Sequence, residues 1–311
     1  MVKKLEHLFD EFIYESRFGR KVRPDTIRGY SAAFELFLKL RREVTTKTLS
    51  RNVVIGFFKG LEERQRVVGK GLIKTGVKKS TIATYWKNLN VFFQWLKTHG
   101  YILDNPLAEM SCPTPSYEDK KFLKKEEVEK VLAAIHIHHH NDLFVLKRNL
   151  VLVHILLFCG LRREEILLLQ IRDIDLERKV ITIRAVTSKS KQSRQIPIHS
   201  ATAMFIKDYL SARKHFATPF FLVSTKRDAQ LTHHGLKHVV DTIKHHSGVS
   251  FHLHQLRHTF AVNFLKASNN IAKLKQLLGH KSIVVTMAYL RCLPVTEFRS
   301  DIESMAIDDF I

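Results

Sequence analysis

The sequence predicts a mainly α-helical protein with a small β-sheet, split into a helical N-terminal domain and a larger mixed C-terminal domain. Three observations predict it. Apolar residues recur with the 3.6-residue period of a helix through residues 1–100. A stretch holding Asn105-Pro106, Pro113, Pro115 and Ser116 then disfavours helix and strand alike. Beyond it, two short segments alternate apolar and polar residues, the period of a strand, inside otherwise helical patterning. The resulting division is a helical domain at 1–105, a linker at 106–122 and a second domain at 123–311.

In the first domain Leu5, Leu8, Phe9, Phe12 and Ile13 mark one helix. A second begins near Pro24-Asp25 and runs to about Arg42, with Tyr30, Phe34, Phe37 and Leu38 on one face. Val53, Val54, Phe57, Phe58 and Leu61 mark a third. The fourth starts at Ser80, read as its N-cap, carries Ile82, Tyr85, Leu89, Phe92, Phe93 and Leu96, and ends at Gly100. Four such helices make a small bundle. Between the third and fourth, Gln65–Lys79 holds Arg66, Lys70, Lys74, Lys78 and Lys79, three glycines and no acid. It reads as a loop, either solvated or acting as a flexible strap on a polyanion, since like charges repel unless phosphates lie nearby.

The second domain opens with a helix start at Lys124-Lys125-Glu126-Glu127-Val128. The run Leu150–Leu161, broken by His154, falls short of the ~20 residues that span a bilayer and reads as a buried helix. Val180–Val186 and Arg194–Ile198, joined by the turn-like Ser188–Gln192, read as a β-hairpin. His136, His138, His139 and His140 could bind a metal, but no Cys or acidic companion stands at ligand spacing, and a surface turn after a helix is the favoured reading.

Charge narrows the partner. The chain of 311 residues carries 51 Lys and Arg against 30 Asp and Glu, a net +21. By count about +10 falls in residues 1–110 and about +11 in the rest. Both halves are basic, so both are expected to touch one polyanion, and nucleic acid is the first candidate. An anionic membrane is the second, without any lipid-anchoring signal. Arg66, Lys70, Lys74, Lys78, Lys79 and Lys87 are the candidate DNA contacts of the first domain. Met1–Tyr14 has no continuous apolar stretch and is not a signal peptide. Cys112, Cys159 and Cys292 form neither a disulfide framework nor a metal motif, which fits a reducing cytoplasm.

Three strings carry chemistry. They are Gly160-Leu161-Arg162-Arg163-Glu164-Glu165, then His254-Gln255-Leu256-Arg257-His258, then Leu278-Gly279-His280 followed nine residues later by Tyr289. Catalysis on a phosphodiester needs cationic donors around its oxygens, and the arginine fork grips two oxygens at once without deprotonating. A tyrosine, with a free pKa of about 10, needs clustered positive charge to become a nucleophile. Arg163 reads as a surface ion pair. His254 stands three residues before Arg257, so both can face one cleft, whereas His258 reads as a packing or supporting residue.

These strings, in this order, resemble the active site of the tyrosine recombinases, the family of phage integrases and Xer-type resolvases. The resemblance is specific over residues 158–290 and weak over 1–110. It implies a core-binding (SAM-like) helical domain and a catalytic domain closing as a C-shaped clamp on duplex DNA. It implies strand cleavage and rejoining through a 3′-phosphotyrosyl intermediate at Tyr289, with Arg162, Arg257 and His280 at the phosphate and His254 as the general base for the tyrosine hydroxyl or, when protonated, a phosphate donor. Glu165 is the supporting acid. The lysine that protonates the leaving 5′-oxygen is Lys189 when counted back from Arg194-Gln195-Ile196-Pro197, with Lys191 the alternative. No metal and no cofactor is implied. The resemblance further implies a homo-tetramer on specific recombination sites, with an accessory or activating protein possible, in the cytoplasm at the nucleoid. The segment with Phe298, Ile302, Met305, Ile307 and Phe310 resembles the family's tail helix, which docks on a neighbouring protomer; packing on its own domain is the alternative. Cys159 stands where Thr or Ala is usual, and no extra arm-binding domain precedes the first helix, which favours an Xer-like resolvase. A type IB topoisomerase-like relaxing enzyme and a catalytically silent DNA-binding relative are the rival readings.

Overall fold

Phenylalanine stripes assemble the first half. The structure, a computed structural model, describes residues 3–69, 71–114, 122–188, 191–225, 227–294, 296 and 302–303. The chain divides into two compact units, Met1–Glu118 and Asp119–Ile311. In the first, α1 (Leu5–Tyr14), α2 (Pro24–Leu40), α3 (Arg51–Glu63) and α4 (Lys79–Thr98) turn their apolar faces to one core. Phe9 stacks on Phe34 with centroids 4.0 Å apart and meets Phe92 edge-on at 5.1 Å. Such pairs add ~0.5–1.5 kcal/mol beyond their burial. Helix α2 opens on Pro24, where a missing N–H goes unnoticed. Helix α3 is capped by the Ser50 hydroxyl, which accepts from the Val53 N–H.

Two expectations change here. Helix α4 starts at Lys79 with Lys78 at its N-cap position and no side-chain cap, so Ser80 sits inside the first turn. Gln65–Lys79 is not a plain loop: β1 (Gln65–Val68) and β2 (Leu72–Thr75) pair antiparallel as a hairpin. It is closed at its base by the Gly76 N–H to the Arg64 carbonyl, and by the Arg66 guanidinium to the Gly76 carbonyl at 2.8 Å.

The second unit is built on α6 (Leu143–Phe158). Every residue from Leu150 to Leu157 is buried, so this helix is apolar all round and forms the centre of the core. His154 stacks between Phe205 at 3.8 Å and Phe158 at 5.3 Å, and burial drives its pKa down to about 4, leaving it neutral. Against α6 pack α5 (Lys125–His139), α8 (Ser200–Ala212) and α10 (Leu253–Ser268); α7 (Arg163–Leu167) follows α6 in the chain, and α9 (His233–Ser247) packs on α5. Then come α11 (Ile271–Leu278) and α12 (Ile283–Met287). A three-stranded antiparallel sheet holds β3 (Ile174–Asp175), β4 (Val180–Ile183) and β5 (Arg194–Pro197) in sequence order. Its register pairs Ile181 with Ile196 and Ile183 with Arg194.

The histidines at 136, 138 and 139 occupy the last turn of α5 itself, and His138 stacks on His246 of α9 at 3.5 Å. Among the described residues no group of three or more potential metal ligands gathers, and no helix is long and apolar enough to cross a membrane. Lys70, Lys189, linker residues 115–121 and the tail residues Phe298, Met305, Ile307 and Phe310 lie outside the described residues.

Candidate active site

The site is organised by the end of one helix. The last carbonyls of α11 have no partner within the helix and carry its negative dipole end. Each takes one arginine. The Leu277 carbonyl accepts from Arg194 Nε at 2.7 Å, Leu278 from Arg257 Nη2 at 2.7 Å, and Gly279 from Arg162 Nη2 at 3.0 Å. The same three guanidiniums meet one carboxylate, Glu165, whose side chain has no exposed surface. Arg194 grips it with both terminal nitrogens, at 2.9 and 2.7 Å. Arg162 donates from Nη1 at 2.8 Å and from its backbone N–H at 2.8 Å, and Arg257 Nη1 stands at 3.9 Å.

Local structure explains how Glu165 arrives there. Arg162 is the N-cap residue of α7 and Glu165 its third residue, so the carboxylate folds back over the start of the helix, where negative charge is favoured. Gly160 makes the approach with φ +60°; a Cβ there would lie 2.3 Å from Phe260 Cδ1. Its carbonyl is also used, accepting from Arg257 Nη1 at 2.6 Å.

These contacts set the electrostatics. Burial pushes the Glu165 carboxyl up, but the hydrogen bonds and charges of Arg194 and Arg162 outweigh it and hold the pKa at about 2. Burial, helped by the charge of Arg162, pulls the Arg257 guanidinium down to about 9, which leaves it charged at neutral pH. Three cations against one carboxylate leave an excess of positive charge inside the protein, a place that suits a phosphate. Arg162 keeps 18% of its side chain exposed against 1% for Arg257, so Arg162 forms the open edge of the cluster. It borders a cleft of about 740 Å³ also lined by Arg163, Lys237, His252 and His254.

Tyr289 sits against this cluster, 2% exposed. Burial raises its pKa, while Arg257 and Arg162 pull it back down. His280 follows the C-terminal glycine of α11. Its Nε2 lies 3.2 Å from Arg257 Nη2 and its Nδ1 2.9 Å from the buried Thr286 hydroxyl. Its ring lies parallel to that of Tyr289, with centroids 6.4 Å apart. His254 is exposed at the cleft. His258, read above as a packing residue, brings Nδ1 to 2.8 Å from the Tyr289 hydroxyl.

The structure thus gathers Arg162, Glu165, Arg257, His280 and Tyr289, with His254 and His258 alongside. Of the two lysine candidates, Lys189 lies outside the described residues, and Lys191 is exposed in the β4–β5 turn at φ +56°. Arg163 pairs at the surface with Glu164. In the first unit Lys74, Lys78, Lys79 and Lys87 are exposed and Arg66 is half-buried. Sequence reasoning missed Arg194 and undervalued His258, and each left a signal. Arg194 shares the alternating face of Ile196 and Ile198, an arginine where the pattern asks for an apolar residue. His258 is four residues from His254 and so lies on the same helical stripe.

A mostly helical fold thus buries a carboxylate under three arginines beside a tyrosine, a cationic arrangement of the kind that suits a phosphate. The model of the phage integrase family matches residues 121–294, and the chain belongs to that family, the tyrosine recombinases, whose reaction is site-specific recombination of DNA. It is 24% identical over 298 residues to the tyrosine recombinase XerC of Oceanobacillus iheyensis, spanning 93% of this chain and 92% of that one. It is 28% identical over 229 residues to XerC of Vibrio campbellii, spanning 72% and 70%. Among solved structures, the Tn1549 transposon integrase in complex with circular intermediate DNA superposes with a TM-score of 0.74 at 18% identity, over 95% of this chain and 98% of that one. The XerH site-specific recombinase bound to palindromic difH substrate, in its post-cleavage complex, gives 0.71 at 20% identity, over 94% and 82%. At these identities the structural likeness establishes the fold.

Proposed function

We propose that Tyr289 attacks a DNA phosphodiester at a specific recombination site and holds the cleaved strand as a 3′-phosphotyrosyl link until a DNA hydroxyl reseals it. The observation that carries this reading is the single carboxylate, Glu165, with three arginines fixed around it next to Tyr289. Arg162 and Arg257 take the phosphate oxygens, His280 donates to a third position, and His254 closes the cleft side. Lys189, with Lys191 as the alternative, protonates the departing 5′-oxygen. Because the phosphotyrosyl bond keeps the energy of the broken one, resealing needs no nucleotide. Residues 1–105 are taken as the core-binding domain, 106–122 as the linker and 123–311 as the catalytic domain. Arg66, Lys70, Lys74, Lys78, Lys79 and Lys87 are assigned to backbone contacts with duplex DNA, and binding is expected to weaken steeply with salt.

The same reading assigns a homo-tetramer on paired sites, an accessory or activating protein, and a place at the nucleoid in the cytoplasm. Exposed Ile283, Val284, Val285 and Met287 on α12 give an apolar face that a tail helix would cover. The test is to trap covalent adducts from cells expressing wild type or Tyr289→Phe, and to sequence the attached DNA ends. Adducts at one recurring sequence, absent in the variant, are expected. Adducts scattered over all sequences would point to a relaxing enzyme, and none in wild type would refute the nucleophile assignment.

A further inference from the structure

Tyr289 has a difficulty that its arginines do not solve. Its hydroxyl is buried and its pKa is raised, so at neutral pH it enters the reaction as a phenol. A proton has to leave Oη as the oxygen attacks phosphorus. The arginines are donors and accept nothing. His280 has Nδ1 at the Thr286 hydroxyl and Nε2 at Arg257 Nη2, a place within the arginine cluster, and its assigned part is to donate to the phosphate and not to take the Tyr289 proton. His254 is exposed and lines the cleft beside Arg162, on the side from which a phosphate would enter.

We propose that His258 is the proton acceptor for Tyr289 in the cleavage step, an inference that rests on Tyr289 being the nucleophile. His258 Nδ1 lies 2.8 Å from the Tyr289 hydroxyl oxygen, within the range for direct proton transfer. The ring is half-buried on α10, one residue after Arg257, so the backbone that fixes the phosphate-gripping arginine also fixes the acceptor. His254 meets it edge-on at 4.8 Å and limits its rotation. In the step proposed, the Oη–H bond breaks and its proton passes to Nδ1, while the Nε2 proton stays in place. The Oη–P bond forms, and the P–O5′ bond breaks with its electron pair on O5′, which takes a proton from the general acid. Resealing reverses each transfer: a DNA 5′-hydroxyl attacks phosphorus, Tyr289 leaves as phenolate, and His258 returns the proton. His254 is then released from the role of base and becomes a donor to the phosphate.

The experiment compares His258→Asn with His258→Ala in single-turnover cleavage of a nicked duplex carrying the sequence recovered from Tyr289 adducts. The asparagine oxygen takes roughly the place of Nδ1 and accepts a hydrogen bond, but it is not a base in water. Both variants are expected to slow cleavage by about 10²–10⁴-fold, the usual contribution of a general base, with binding of the same duplex within about twofold of wild type, which also reports the fold. An asparagine variant cleaving at the wild-type rate would mean that His258 only orients Tyr289 and would overturn the proposal. Faster cleavage in both variants would make it a latch and would overturn it as well. Wild-type protein that forms no Tyr289 adduct would instead remove the underlying reading, a result separable from either.

Discussion

The hairpins β1–β2 and β4–β5 are both antiparallel ribbons with four residues in each strand, and only one of them has an inside. In β4–β5, Ile181, Ile183 and Ile196 are buried, and Arg194 lies opposite Ile183 with 9% of its side chain exposed, pinning the ribbon to Glu165 and α11. In β1–β2 all of β2 is exposed, including Leu72 and Ile73, and the cross-strand pair of Arg66 and Lys74 sets like charges opposite each other. Like charges directly opposite oppose pairing. The β4–β5 ribbon is thus held by the rest of its domain and serves to place groups, while β1–β2 is held by its own hydrogen bonds and presents charge to whatever supplies the opposite sign.

The most damaging change lies at the pin. Glu165→Gln keeps the shape but leaves Arg162, Arg194 and Arg257 without a counter-charge in a buried site. Removing one partner of such a group costs about 3–5 kcal/mol, read as a lower denaturation midpoint of the second unit. The pH dependence is a second check. The carboxyl is held at about 2 against an ordinary 4.5. A depressed carboxyl pKa stabilises the fold above the unfolded value, and that stability is lost as pH falls through the folded one, about 3 kcal/mol in all. Wild-type stability should therefore lose this contribution between about pH 4.5 and 2, and Glu165→Gln should lack that part of the slope.

Glycines give a finer comparison, because both regions use one with positive φ. Gly160 stands at +60° against Phe260, and Gly69, in the β1–β2 turn, at +56° with nothing within 4 Å. Gly69→Ala should cost only the backbone strain of roughly 1–2 kcal/mol. Gly160→Ala adds displacement of a buried ring, and overpacking of that kind adds about 1–3 kcal/mol. The alanine at 160 should also slow adduct formation, since the Gly160 carbonyl holds Arg257. Equal losses at the two sites would mean that Phe260 yields freely and that α10 does not depend on this contact.

The same contrast explains what the sequence made legible. Alternation reports a buried face rather than a strand. Val180–Val186 and Arg194–Ile198 alternate over such a face, although β4 stops at Ile183 and the exposed Val186 continues the alternation without a partner strand, whereas β1–β2 lacks a buried face and reads as a loop. The helices of the first unit were legible because Phe34, Phe37, Phe92 and Phe93 repeat at helical spacing and are all buried. Ser80 misled because a good capping residue within the first turn competes with nothing, while the chain entered the helix two residues earlier at Lys78. At the site, residue types and order gave Arg162, Glu165, Arg257, His280 and Tyr289. They gave no hint that consecutive carbonyls of α11 would receive three arginines, because that depends on where a helix ends in space. Arg194 was visible only as a misfit in a pattern, and His258 only by its helical phase.

The smallest effect on stability is expected where the cations carry no structural load. In the double variant Arg66→Ala, Lys74→Ala the hairpin loses one hydrogen bond, Arg66 to Gly76, and sheds a repulsive pair. The two changes act in opposite directions, and the net shift should stay within about 0.5 kcal/mol, the range of ordinary surface substitutions. DNA binding is where the loss should appear. If both side chains neutralise phosphates, the slope of log K against log salt should fall by roughly 2, since each contact contributes about 0.9. An unchanged slope would mean that β1–β2 faces something other than DNA, and a large loss of stability would mean that its charges hold the bundle together after all. A variant that is stable, folded and flatter in its salt dependence would place the ribbon's function wholly in its charge, in contrast to β4–β5, where the same residue type is buried and holds the site in place.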